Sequence, residues 1–302
     1  MALSRFEYVK KFEVPDNLLL DCYIVVRVDG RGFHKFSHQH NFSKPNDENA
    51  LNLMSHCAKH IMKEFSDIVV AYGQSDEYSF AFKKKTSLYN RRSSKIVSNI
   101  VSLFSSVYVY YWGQYFQDST LKYPPSFDGR AILYPSVEIL RDYFSWRQVD
   151  CHINNLYNTC FWNLVLHGGH TRESAQRIVK DTNSAAKNEL LFSQFNINYN
   201  DLPEIFRRGT VIYRKNGTVE TVHIDLIKKL PYAYEALITS TITYGLEAYA
   251  AAPQNLLLRI DVAQEKAIRL GIVKNYIPIA NLILEKDRKL LKQITMRGDP
   301  VA

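Results

Sequence analysis

Residues 68 to 82 constrain the fold most. Ile68-Val-Val-Ala-Tyr72 is a β-branched run, Gly73-Gln-Ser-Asp76 carries turn residues, and Glu77-Tyr-Ser-Phe-Ala-Phe82 returns with alternating apolar positions. That pattern predicts a β-hairpin, and a hairpin commits its neighbourhood to an antiparallel sheet. A second β-branched run, Cys22-Tyr-Ile-Val-Val-Arg-Val28, stops abruptly at Asp29-Gly30-Arg31-Gly32, which sets Asp29 at a strand end. Between the two, Leu51, Met54, Ala58, Ile61, Met62 and Phe65 recur at three- and four-residue steps, spacing that predicts a helix over 49–65.

Further along, Ser94 to Tyr111 reads as a long apolar helix and Arg130 to Tyr134 as a strand before Pro135. Ser136 to Ser145 and Trp146 to Leu166 read as two helices, the second stopped by Gly168-Gly169, and Thr171 opens another through Ile178. A hairpin-like turn is expected at Asn216-Gly217, after which the texture becomes Ala- and Leu-rich. The expected organisation is therefore a catalytic region over 1–217 and a mainly helical tail over 218–302. The tail holds eleven basic against nine acidic side chains, so most of the net charge of +8 lies before it.

With 302 residues, 46% of them hydrophobic and 23% charged, the chain is neither a disordered tail nor a small stapled scaffold. Apolar runs such as Val97 to Tyr111 are broken by Ser and Asn short of the ~20 residues that span a bilayer. Residues 1–11 carry Arg5, Glu7, Lys10 and Lys11 with no apolar stretch, so no secretory signal is expected. A cytoplasmic location is the expectation, with a mitochondrial pool left open. Cys22, Cys57, Cys151 and Cys160 lack metal-ligand spacing and read as reduced thiols. The positive balance suits a polyanion such as RNA or a nucleoside triphosphate.

Asp29 at one strand end and Asp76-Glu77 on a neighbouring hairpin could bring carboxylates together across the sheet. Such acids repel unless a cation lies between them, and Mg²⁺ accepts one or two protein carboxylates while keeping sites for water and phosphate. A pair of such ions serves phosphoryl or nucleotidyl transfer. The Gly30 carbonyl is a further hard oxygen, and the backbone N–H groups of Gly30-Arg31-Gly32 could cradle a triphosphate with Arg31 beside it. The same residues are equally compatible with solvated turns, since Asp-Gly is a common turn pair. Lys83, Lys84, Lys85, Arg91, Arg92 and Lys95 open the long helix as a candidate phosphate anchor, with Tyr89, Tyr108, Tyr110 and Tyr111 as candidate stacking partners or as core and interface.

Taken in order, Val28-Asp-Gly-Arg-Gly-Phe-His34, Lys44-Pro-Asn-Asp47, Ala71-Tyr-Gly-Gln-Ser-Asp-Glu-Tyr-Ser-Phe80, Phe127-Asp-Gly-Arg130, Ser145-Trp-Arg-Gln148 and Cys151-His-Ile-Asn-Asn-Leu-Tyr-Asn-Thr159 resemble the eukaryotic tRNA-His guanylyltransferases. Lys187-Asn-Glu189 and Phe195-Asn-Ile-Asn-Tyr-Asn200 extend the resemblance, which covers roughly 1–215. It implies an α+β fold with a polymerase palm-like antiparallel sheet backed by helices, and a helical C-terminal segment beyond it. It implies an enzyme that adds a guanylate to the 5′ end of tRNA-His, using ATP to adenylylate the 5′-monophosphate, GTP as donor and two Mg²⁺ ions.

Residue by residue, the resemblance gives Asp29 and Asp76 as the metal-bridging carboxylates with the Gly30 carbonyl, and Glu77 as a supporting acid. Asp29, Gly30, Arg31, Gly32, Phe33, His34, Ser75 and Asp76 would line the nucleotide. Arg27, Lys44, Asp47, Arg92, Lys95, His152, Asn155, Lys187 and Asn198 are candidate triphosphate or tRNA contacts. Each has a structural alternative: Arg27 could pair with a local acid, His152 be a satisfied buried histidine, Lys187 cap a helix, and Phe195 to Tyr199 form an ordinary strand. A homotetramer is also implied, with the long helix as an interface. Two alternatives stay open: template-dependent repair of tRNA 5′ ends, and a catalytically impaired RNA-binding protein. The second is motivated by Tyr244 to Tyr249 and Pro253 to Ile272, which depart from the family and resemble the helical region after a retrotransposon reverse transcriptase.

Overall fold

In a computed structural model, residues 4–215 and 217–226 are described; the tail beyond, with its retrotransposon-like stretch, lies outside the described residues. The elements, in chain order, are β1 (Tyr23–Gly30), α1 (Phe33–Gln39), α2 (Glu48–Glu64), β2 (Ile68–Gln74), β3 (Glu77–Phe82), α3 (Ser93–Tyr115), β4 (Phe127–Tyr134), α4 (Val137–Leu166), α5 (Arg172–Val179), α6 (Ser184–Phe195), α7 (Glu204–Arg208), β5 (Thr210–Lys215) and β6 (Thr218–Val222). The strands form one six-stranded sheet in the order β4-β1-β3-β2-β5-β6, with every pairing antiparallel. This is the α+β architecture expected. Residue 217 lies between β5 and β6, inside a compact unit that runs to Leu226.

Alternation along the strands divides the sheet into two faces. Val26, Val28, Tyr78 and Phe80 point to one, where α2 and α3 cover them with Leu53, Met54, Ile61, Ile100 and Phe104 in a single apolar core. Helix α4 covers the other, and its far half packs with α5 and α6 around Leu156, Cys160, Leu164, Ala175 and Leu191. No described helix is long and apolar enough to cross a membrane.

Three readings need correction. Val137–Leu166 is one helix where two were expected over 136–166, capped by Ser136, whose hydroxyl accepts from the Ile139 N–H. The apolar spacing was masked because α4 also buries Arg147, Gln148, Asn155 and Asn163. Phe195 to Tyr199 is no strand: α6 ends at Phe195, Asn196 takes a left-handed cap with φ 53°, and a short 3₁₀ turn follows at Tyr199–Asp201. Helix α1 went unread because only seven residues form it, after Gly32 at φ +68° and with no side-chain cap.

Candidate active site

Strand pairing brings the two acids together. Asp29 on β1 lies directly opposite Glu77 on β3 and Asp128 on β4, so three carboxylates form a row across the sheet on the α4 face. Asp76 precedes Glu77 in the two-residue link between β2 and β3, and its carbonyl accepts from the Gly30 N–H at 3.0 Å. Glycine is required at 30, because an added Cβ would sit 2.9 Å from the Asp76 Cβ and closer still to the Phe33 ring. Ser75 holds φ 50°, a left-handed conformation costing an L-residue about 1 kcal/mol or more.

The acids line a cavity of about 790 Å³ that continues past His34, Lys44, Asn46 and Asn155 to Trp162 and Arg172. Its walls hold six carboxylates (Asp29, Asp47, Asp76, Glu77, Asp150 and Glu173) against the obligate cations Lys44, Arg147 and Arg172. Desolvation pushes the Asp76 carboxyl up to about 6 despite the Ser75 hydrogen bond, and the charges of Asp29 and Glu77 add to the shift. Lys44 Nζ lies 5.7 Å from the centre of the Trp162 ring, and the Arg172 guanidinium 5.5 Å from it. Burial, joined by the charge of Arg172, lowers the Lys44 pKa against the pull of Asp47.

Glu77 is committed elsewhere. Arg147 of α4 donates from Nε to Oε1 at 2.6 Å and from Nη2 to Oε2 at 2.8 Å, and also from Nη2 to Asp150 at 3.0 Å. Desolvation opposes the charge on Arg147, but the bonds and charges of Glu77 and Asp150 outweigh it and raise its pKa. In the row and its hairpin link, Glu77 alone holds a hydrogen-bonded cation: Arg27 reaches Asp29 only at 3.8 Å, and no described cation bonds Asp76. Among the described residues no three His, Cys, Asp or Glu converge as a metal cage. Two crowded carboxylates in a cavity of acidic balance fit a hard cation that keeps its remaining positions for water and phosphate.

A family model described as tRNAHis guanylyltransferase matches residues 6–135, and one described as the Thg1 C terminal domain matches residues 138–248. The chain belongs to the tRNA-His guanylyltransferase family. A mouse protein described as a probable tRNA(His) guanylyltransferase is 56% identical over 227 residues, covering 75% of this chain and 76% of that one. The crystal structure of the Saccharomyces cerevisiae tRNA(His) guanylyltransferase superposes with a TM-score of 0.68 at 45% identity, over 74% of this chain and 100% of that one. A bacterial tRNA(His) guanylyltransferase-like protein in complex with ATP shares the fold, with a TM-score of 0.64 at 23% identity over 76% and 96% of the two chains.

Of the other residues this family pointed to, His34, Lys44, Asp47, Ser75 and Asn155 line the cavity. Phe33 also lines the cavity, while its ring packs against Phe36 at 4.8 Å and Phe127 at 4.9 Å at the edge of the core. The expected phosphate cradle is smaller than the turn suggests, since the Gly30 N–H serves Asp76 and the Arg31 N–H serves Ser126. Asp47 caps α2, accepting from the Ala50 and Ser43 N–H groups. Arg27 does pair locally, with Asp29, while its Nε is buried without a hydrogen bond.

Arg92 pairs with Asp16 at 3.3 Å and Lys95 is exposed on α3, both outside the cavity lining. The basic run before α3 is largely spent on structure: Lys83 meets Asp67, and buried Arg91 donates to the carbonyls of Leu18, Leu19, Cys22, Lys84 and Thr86. Tyr108 is buried in the core and cannot stack on a base, whereas Tyr110 is exposed. His152 is exposed with its ring 5.4 Å from that of Tyr199, Lys187 donates to the Thr182 carbonyl and hydroxyl, and Asn198 caps the 3₁₀ turn. Sequence reasoning assigned no role to Gln74, Arg147, Asp150, Trp162 or Arg172; Gln74 and Arg147 stood inside the Ala71–Phe80 and Ser145–Gln148 motifs and were the two within reach.

Proposed function

We propose that this chain adds a guanylate to the 5′ end of tRNA-His in a Mg²⁺-dependent, ATP-activated reaction. An oxygen of the tRNA 5′-monophosphate attacks the α-phosphorus of ATP and pyrophosphate leaves. The 3′-hydroxyl of GTP then attacks the tRNA 5′-phosphorus and AMP leaves; hydrolysis removes pyrophosphate from the new 5′ end. All three displacements are at phosphorus, so positioning and charge neutralisation suffice without a protein nucleophile. The observation that carries this reading is the junction of β1 and the β2–β3 hairpin, which sets Asp29 beside Asp76 through the Gly30 N–H.

Asp29, Asp76 and the Gly30 carbonyl are the residues to hold the cation pair. Bound there, Mg²⁺ supplies an activated attacking oxygen and a stabilised leaving oxygen. Lys44 and Arg172 neutralise triphosphate charge, and the amides Asn46 and Asn155, which bond each other at 2.9 Å, offer polar contacts deeper in the cavity. The exposed Val109 and Tyr110 on α3 support the homotetramer that the family resemblance implies. The test is incubation of the full chain with 5′-phosphorylated tRNA-His, ATP, labelled GTP and Mg²⁺. A one-nucleotide 5′ extension is expected; folded protein that yields none overturns the reading, and equal extension of tRNAs with other anticodons redirects it to general 5′ repair.

A further inference from the structure

The Ser75-Asp76 link is flanked by Gln74, the last residue of β2, and Glu77, the first of β3, which are register partners. Helix α4 grips both. Arg147 and Asp150 stand three residues apart on the same helical face. Arg147 holds both Glu77 oxygens and also Asp150, and Asp150 Oδ2 accepts from Gln74 Nε2 at 3.2 Å. Hydrogen bonds thus close a ring from Gln74 through Asp150 and Arg147 to Glu77 and back through the strand pairing. Arg147 and Glu77 are 6% and 7% exposed, so the central ion pair of the ring is buried in the cavity wall. We propose that Arg147 is a positioning residue: with Asp150 it clamps the two residues flanking the Ser75-Asp76 turn and so fixes the Asp76 carboxylate against Asp29.

Two features make the clamp more than a buried ion pair. The turn it spans holds a non-glycine residue in the left-handed region, so its shape needs outside support. Glu77 is also the direct cross-strand partner of Asp29, so anything that shifts Glu77 shifts the opposing acid as well. Only a guanidinium fork can hold both carboxylates at these angles; a lysine ammonium is a point charge.

The test uses the full chain with Mn²⁺ as a spectroscopic probe, titrated by electron paramagnetic resonance, alongside thermal melts and single-turnover extension. Arg147→Lys keeps charge and Glu77; Glu77→Leu with Arg147→Met replaces the buried pair by apolar side chains that preserve folding. In both, Mn²⁺ affinity and extension rate fall about 10- to 100-fold while KM for tRNA stays near that of the parent. Parent-like Mn²⁺ affinity and rate in a folded variant overturn the clamp. If the double variant melts far below the parent, Arg147→Lys decides alone. The rate arm rests on the proposed reaction, but the Mn²⁺ arm does not: a parent that binds Mn²⁺ without extending tRNA sinks the reaction and still tests the clamp.

Discussion

The two faces of the sheet are built from alternate residues of the same strands and are opposite in character. Val26, Val28, Tyr78 and Phe80 vanish into an apolar core under α2 and α3, each 1% exposed or less. One residue along, Arg27, Asp29, Glu77 and Ser79 face α4, which answers with Arg147 and with Tyr143, whose hydroxyl meets Ser79 Oγ at 2.7 Å. On this face the acids Asp128, Asp29 and Glu77 lie in one row and Arg130 and Arg27 in the next. The first face is apolar apart from a few tyrosine hydroxyls, of which that of Tyr108 is buried without a partner, whereas the second leaves Arg27 Nε unbonded and Asp76 desolvated beside other acids. Alternation lets one strand supply stability on one side and chemistry on the other, and a one-residue slip would exchange them.

The sharpest way to break the comparison is to truncate one residue on each face. Asp29→Ala or Asp76→Ala should lower extension by about 10³-fold or more, equivalent to ~4 kcal/mol of transition-state stabilisation. The melting temperature should not fall. Retained activity in both variants would remove the acids from the chemistry. On the other face, Phe80→Ala should cost about 3–5 kcal/mol in denaturant unfolding, since it empties a fully buried site between Tyr78 and Phe104. Its folded fraction should turn over at the parent rate. A Phe80 variant that keeps its stability but loses activity would show that the faces are not separable.

The dry face was legible in the sequence and the polar one only in outline. Period-two alternation in Glu77 to Phe82 and the three- and four-residue spacing of α2 are local signals, so the hairpin, the helix and the strand-end position of Asp29 could be read directly. What Glu77 does could not, because its partner Arg147 is 70 residues away and sits on a helix whose buried polar side chains hide its periodicity. The same holds for Arg91, read as a phosphate anchor but spent on five backbone carbonyls, and for Phe33, whose place in the core depends on an α1 too short to announce itself. Residues next to a motif inherit its apparent role until long-range contacts reassign them.

Proton linkage separates the faces more finely. Burial raises the Asp76 carboxyl from its reference of 3.8 to about 6, so the folded chain takes up a proton that the unfolded chain does not bind until lower pH. The stability Asp76 contributes is therefore full below about 3.8 and is lost as pH rises through about 6. In EDTA at pH 7.5, Asp76→Asn should be more stable than the parent by up to about 3 kcal/mol. The gain should shrink at pH 5 and disappear near pH 4. A gain that is flat with pH would mean that the charge is not what burial penalises; Phe80→Ala, by contrast, should show a pH-independent loss.

The smallest effect tests a residue that belongs to both categories. Asp47 lines the cavity, yet one of its oxygens accepts the Ala50 N–H in the first turn of α2 and the other the Ser43 N–H of the preceding loop. A cap of this kind contributes about 1 kcal/mol, and Asn caps nearly as well as Asp because both present a side-chain oxygen to the first-turn amides. Asp47→Ala should thus lower the melting temperature by about 2–4 °C, while Asp47→Asn, which keeps the Ala50 cap and gives up only the exposed Ser43 bond, lowers it less. The pair separates oxygen from charge: if Asp47→Asn extends tRNA at the parent rate, the residue serves the helix and the cavity only borrows its wall. If it slows extension with only that smaller melting shift, the negative charge acts on the bound substrate, and the boundary between structural and chemical residues runs through a single side chain.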